Sequence, residues 1–192
     1  DMKSAFGGHG SVGRFDPGRN LQPQEAQIDR YYPEEREAKR QALLDAVEGL
    51  RDVFVAGSEE AEERGTLPQA TVDAIDAAGL FAVKSARVLG GAEADAMTQL
   101  EVVEAASCID PAAGWSIMIG SGTLSGMAAF LGESINEIFV DGKFPRAAGA
   151  AAPSGEATIV DGGYRVTGQW GFASGIRHSN YLAMGAIAVG GP

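Results

Sequence analysis

Apolar positions along this chain keep one period up to about residue 140 and another after it. Leu43, Val47, Leu50 and Phe54 recur at i, i+4, i+7 and i+11, the stripe of an amphipathic helix. Glu34, Glu35 and Glu37 fall in its first turn, where the helix dipole favours negative charge. The spacing predicts an end at Gly57 and a second short helical run over Ser58–Arg64. Leu67-Pro68 starts another helix, with Val72 and Ile75 inward and Gly79 as its cap. Leu80–Asp95, with Gly90-Gly91, reads as a loop with room for a short extended piece. Met97, Leu100 and Val103 mark a helix ending near Ile109, and Asp110-Pro111 restarts the next, Asp as N-cap and Pro at the first helical position. That helix carries no formal charge from 111 to 132. Its Gly120, Gly122 and Gly126 permit close approach of a backbone or a ligand. Glu133–Val140 reads as one more short helix.

After Asp141-Gly142 the period becomes two. Strands are predicted over Ala147–Ala152, Thr158–Val160, Tyr164–Ser174 and Tyr181–Val189. Tyr164, Val166, Trp170 and Phe172 share one face, and Arg165, Thr167 and Gln169 the other, so one side is expected buried and one wet. Asp161-Gly162-Gly163 is the tight turn between two of these strands. The strand after it delivers Phe172 and Ser174 two residues apart, which puts both on one face. An aromatic plane beside a small hydroxyl suits a flat heteroaromatic ligand with a polar edge, and a flavin is one. Helices followed by strands signal an α+β fold. The expected division is a tail or arm at 1–33, a helical domain at 34–145 and a partial β domain at 146–192. So few strands leave an open sheet edge. Either the chain is a piece of something longer, or a companion subunit or self-association completes it.

Composition narrows the partners. Of 192 residues, 45% are hydrophobic, enough for a packed core, and the formal net charge is -11. An acidic surface argues against nucleic acid and anionic membranes as partners. The uncharged helix is long enough to span a bilayer, but its serines and glycines and its acidic flanks favour a buried helix of a globular fold. The single cysteine, Cys108, excludes an internal disulfide framework and a cysteine zinc site. His9 and His178 lie far apart in no metal-binding spacing, so no metal is expected. The N-terminus has no apolar core of a secretory signal, and a cytoplasmic location is the expectation.

The helices, then Leu89-Gly90-Gly91, Ile109-Asp110-Pro111 and a glycine-turn β segment, resemble the acyl-CoA dehydrogenase superfamily. Gly163-Tyr164-Arg165-Val166-Thr167-Gly168, then Phe172-Ala173-Ser174-Gly175, matches its strand-and-hydroxyl pattern. Pro153-Ser154-Gly155-Glu156-Ala157 and Trp170-Gly171-Phe172-Ala173-Ser174-Gly175 are more similar to the group D flavin-dependent monooxygenases of two-component systems. The resemblance implies an acyl-CoA dehydrogenase-like fold whose β domain is a barrel or sandwich, only begun here. It implies FMN or FAD as cofactor, reduced by a separate reductase in the monooxygenase case, and a small-molecule substrate. It places Ser174 near flavin N5 and Phe172 against the ring, with Ala173, Ala152 and Pro153 as further cofactor contacts. Trp115 and Ser121, on the uncharged helix, would line the substrate pocket. The family's C-terminal helical bundle, which supplies the catalytic base, is absent from this sequence, so no residue is assigned as catalytic.

Other readings stay open beside the hydroxylase: an acyl-CoA dehydrogenase, or a non-catalytic domain that binds a partner chain. Ser174 alone could be a surface hydroxyl, and Phe172, Trp170 and Trp115 could be core. His178 has the reference pKa of a proton-transfer group but sits in a loop, where most histidines are idle. Cys108 has no adjacent basic residue to activate it. Gly90-Gly91 lacks the lysine of a phosphate loop.

Overall fold

A computed structural model describes residues 32–139 and 144–190. Of the expected tail at 1–33, residues 1–31 lie outside them. The described residues form two compact units: a helical one of residues 32–149 with 173–183, and a β one of residues 150–172 with 184–190.

In the helical unit, α1 (Arg36–Gly49) opens on Glu35, whose carboxylate accepts from the Glu37 and Ala38 amides. Those amides have no partner inside the helix, and they hold the Glu35 carboxyl below its ordinary pKa. The expected single helix to Gly57 instead breaks at Leu50, and α2 (Arg51–Arg64) runs straight through Gly57. Glycine there costs helix propensity of up to ~1 kcal/mol. It repays this in packing, since a Cβ would lie 2.6 Å from Thr71 Oγ1 on α3 (Gln69–Ala77). The real stop is Gly65, at φ 62. The predicted stripe survives the break: Leu43, Val47 and Phe54 are buried, with Leu50 packed beside them. Val72 and Ile75 point inward and Gly79 takes φ 76, as the spacing predicts.

The glycine loop folds tightly. The amides of Ala92, Glu93 and Ala94 donate to the carbonyls of Ala82, Ser85 and Val83, closing the loop around two 3-10 turns, Leu80–Ala82 and Arg87–Leu89, in place of the expected extended piece. Gly91 makes this possible, since a Cβ there would sit 2.1 Å from the Ser85 carbonyl oxygen. Next comes α4 (Ala96–Ile109), capped by Asp95. Asp95 also takes a forked ion pair from Arg36 at 3.0 and 3.2 Å, and the Thr98 hydroxyl. Arg36 first, then Thr98, hold its carboxyl far below the usual range. The helix runs to Ile109 as expected, and its inward face is not the large apolar side. Thr98, Val102 and Ala106 are buried, while Met97 and Leu100 face solvent. Asp110 caps α5 (Pro111–Phe130) through the Ala112 amide at 2.8 Å.

The uncharged α5 is buried on one side only. Ala113, Ile117, Ser121 and Leu124 are inside; Trp115, Met118 and Phe130 are exposed. No described helix is long and apolar enough to cross a membrane. Of its expected close-approach glycines only Gly120 serves, 2.9 Å by its would-be Cβ from Phe81; Gly122 and Gly126 meet nothing. Gly114 carries the contact with α4 instead, against Ser107. The last short helix is α6 (Ile135–Ile138).

The β unit is organised by β1 (Ala147–Val160), β2 (Gly163–Gly168) and β3 (Tyr181–Val189), in sheet order β2-β1-β3. β1 and β2 pair antiparallel from Gly155↔Gly168 to Val160↔Gly163 across Asp161-Gly162, with Gly162 at φ 76. Two expectations fail. The predicted strands at 147–152 and 158–160 are one strand, and the strand after the turn stops at Gly168, so 170–174 is not strand. Nor does β2 bury one face: every residue of it is exposed. Trp170 anchors the unit. Its ring lies over the paired Gly155 and Gly168, where added Cβ atoms would come within 2.2 and 2.8 Å of it. Its indole N–H donates to the Gly185 carbonyl at 2.6 Å.

Candidate functional site

Strand alternation would have set Phe172 and Ser174 side by side, but both residues lie past the end of β2. Phe172 is fully exposed at φ 59. Positive φ is strained for an aromatic residue, and such strain concentrates at functional positions. Ala152 and Pro153 are exposed on β1. Ala173 and Ser174 are half-buried and belong to the helical unit, where they open a compact turn.

That turn is built from its own backbone. Gly175 at φ 82 lets it reverse, and the Ile176 and His178 amides donate to the Ala173 and Gly175 carbonyls. The Ser179 hydroxyl donates to the Gly175 carbonyl at 2.9 Å. The His178 ring folds back over Gly175, whose missing Cβ would lie 3.1 Å from Nε2. It stacks on Phe81, with centroids 6.2 Å apart and planes at 28°. Gly120 of α5 leaves Phe81 its space. Arg146 closes the arrangement: its Nε donates to the His178 carbonyl at 2.8 Å, and Nη1 lies 3.4 Å from Asp76 and 3.6 Å from Asp73.

These groups surround a cavity of about 10 Å³, room for one water, with Ser116, Ser174, Gly175 and Ser179 in its wall. His178 Nδ1 is buried without a partner. Burial first, and then the Arg146 charge, push the His178 pKa below its ordinary value, so the imidazole is neutral at pH 7. Among the described residues Ser174 Oγ makes no hydrogen bond, so its donor and acceptor capacity is free for a ligand.

A second, larger hollow of about 260 Å³ lies along α4 and α5. Val83, Leu100, Val102, Val103, Ile117 and Met118 give it apolar walls, with Lys84, Gln99 and Ser121 as its polar points. Its mostly apolar lining with a few polar groups is of the kind that small organic molecules use. The sequence-predicted Ser121 lines it, its hydroxyl donating to the Met118 carbonyl. Trp115 lines neither hollow and is half exposed, at 50%. The described residues contain no cluster of potential metal ligands.

Sequence reasoning missed Arg146, Phe81 and Asp76. Nothing local marks them, since they meet only when distant segments fold together: Arg146 lies 32 residues from His178 and 70 from Asp76, and Phe81 stacks on His178 from further still. Pro145-Arg146 at the start of a strand, with an exposed-looking acidic pair one helical turn apart at Asp73 and Asp76, was the one available hint.

The packed helices and the three-stranded sheet are those of an acyl-CoA dehydrogenase-type fold. A family described as "Acyl-CoA dehydrogenase, N-terminal domain" matches residues 24–135, and the chain belongs to it. The chain is 31% identical over 149 residues to a pigment production hydroxylase of Rhodococcus sp. (strain ATCC 21145), covering 77% of itself and 38% of that protein. Among solved structures it is similar to XiaF from Streptomyces sp. in complex with FADH2 and glycerol, with TM-score 0.69 and 31% identity over 78% of this chain and 38% of the other. It is also similar to the HsaA monooxygenase from M. tuberculosis, with TM-score 0.70 and 27% identity over 80% of this chain and 43% of the other. The chain thus spans about two fifths of the length of the relatives it matches.

Proposed function

We propose that this chain is the N-terminal and middle portion of a two-component oxygenase, which uses reduced flavin to hydroxylate a small organic substrate. The observation that carries this is the similarity to XiaF, whose structure holds FADH2. The relatives named as hydroxylase and monooxygenase agree with it.

The residues present fit a flavin. Ser174 offers a hydroxyl with no partner in the described chain, on a turn stiffened by Gly175 and His178. Phe172 offers an exposed aromatic surface on a strained backbone. Ala152, Pro153 and Ala173 stay in the proposal on sequence grounds alone. When bound, reduced flavin supplies the two electrons that let dioxygen give one oxygen atom to substrate and the other to water. The protein's share is placement and exclusion of solvent. Ser174 orients the cofactor's polar edge through one hydrogen bond. Neutral His178, stacked on Phe81, holds the turn without adding positive charge. The hollow lined by Leu100, Ile117, Met118 and Ser121 offers an apolar wall to substrate.

The test uses the full-length protein with reduced FMN and with FADH2, titrated anaerobically. Binding of one of them, and oxygen-dependent hydroxylation of a small organic substrate, is the expected result. Ser174→Ala should weaken flavin binding about 3- to 10-fold, the worth of one net hydrogen bond. A protein that binds neither flavin is not this enzyme, and acyl-CoA reducing the bound flavin would make it a dehydrogenase.

A further inference from the structure

Given the flavin reading above, we infer that Arg146 is a positioning residue: it latches the 174–179 turn and so sets the Ser174 hydroxyl where the flavin meets it. Arg146 holds the far end of the turn from both its side chain and its backbone. Its Nε donates to the His178 carbonyl at 2.8 Å. Its own carbonyl accepts from the Asn180 and Tyr181 amides at 2.8 and 3.1 Å. On the other side its Nη1 is anchored by Asp76 and Asp73 on α3, at 3.4 and 3.6 Å. The guanidinium thus ties the turn to a helix of the core.

Holding residue 178 holds residue 174 because the turn is internally stiff. The Ala173 carbonyl takes the Ile176 amide, and the Gly175 carbonyl takes both the His178 amide and the Ser179 hydroxyl. Phe81 clamps the His178 ring face. Ser174 has no hydrogen bond of its own to fix it, so its position is inherited from these tethers. Lysine could not replace the arginine. A guanidinium presents donors in a rigid planar fork that reaches a carbonyl on one edge and carboxylates on the other, and an ammonium is a single point.

The experiment is a double-mutant cycle in the full-length protein, read as affinity for whichever of reduced FMN and FADH2 the wild type binds, with the melting temperature of each variant recorded. Arg146→Ala should lose affinity by up to, and no more than, the about 3- to 10-fold expected of Ser174→Ala, and Arg146→Lys should recover only part of it. In the Ser174→Ala background the Arg146→Ala change should cost nothing more in affinity, because no hydroxyl remains to be placed. Its effect on melting should persist unchanged in both backgrounds. Should Arg146→Ala fail to fold, Asp76→Asn loosens the anchor and should give a smaller loss that likewise vanishes without Ser174. Losses that multiply in the double variant, or wild-type affinity in the Arg146 variants, would overturn the latch while leaving the flavin reading intact. A wild-type protein without flavin affinity sinks the functional reading itself.

Discussion

Phe54 and Val166 are both apolar residues in strongly patterned segments, yet Phe54 is 0% exposed and Val166 is 54% exposed. The contrast extends to their whole units. The helical unit has a continuous interior in which Leu43, Phe54, Val72, Ile75, Val102 and Ile117 meet. In the β unit all six residues of β2 are exposed, and order depends on a hairpin register and one tryptophan. Helices joined by short turns bury their stripes on one another. A hairpin has two faces and can cover neither with its own residues. The same alternation that reads as half-buried in sequence is therefore satisfied only where another layer lies on it.

This contrast can be broken most sharply in the two interiors. Phe54→Ala should cost about 3–5 kcal/mol in equilibrium denaturation, whereas Val166→Ala should stay within ~0.5 kcal/mol. A comparable cost at Val166 would mean that β2 is covered in the protein as measured. Next in size is Trp170→Ala, expected at ~2 kcal/mol because the ring is only partly buried and its hydrogen bond is also lost. Loss of the slow amide exchange of β1 and β2 alone, with the helical amides unchanged, would show that the units open separately.

The smallest effect is the pH dependence from His178. Its folded pKa lies below the unfolded value, so between the two the unfolded chain binds more protons. Stability is therefore complete above about pH 6.5 and falls as pH drops through the window below it. His178→Phe should flatten the part of the acid limb due to this group. An acid limb identical in wild type and variant would place the imidazole in water rather than against Phe81 and Arg146.

Much of the helical unit was legible in sequence. Asp110-Pro111 started a helix where local chemistry said it would, and Val72, Ile75 and Gly79 behaved as their spacing required. The errors have one kind of cause. Gly57 failed to end a helix because Thr71, a residue on another element, rewards its missing side chain. Met97, Leu100 and Val103 marked the helix correctly but not its inner face, which went to Thr98, Val102 and Ala106. On the candidate site, the glycine turn and Ser174 were visible as a motif, while Arg146, Asp76 and Phe81 were not.

What the sequence determined by itself is local: helix caps, the hairpin turn at Asp161-Gly162, and the hydroxyl-and-glycine pair at Ser174-Gly175. Each depends on backbone geometry that one or two side chains can dictate. The tertiary structure decided where β2 stops, which face of α4 turns inward, and which charge holds the Ser174 turn. Those outcomes depend on contacts such as Arg146 with Asp76, 70 residues apart, and are set by close packing and ion pairing between segments that no local pattern encodes.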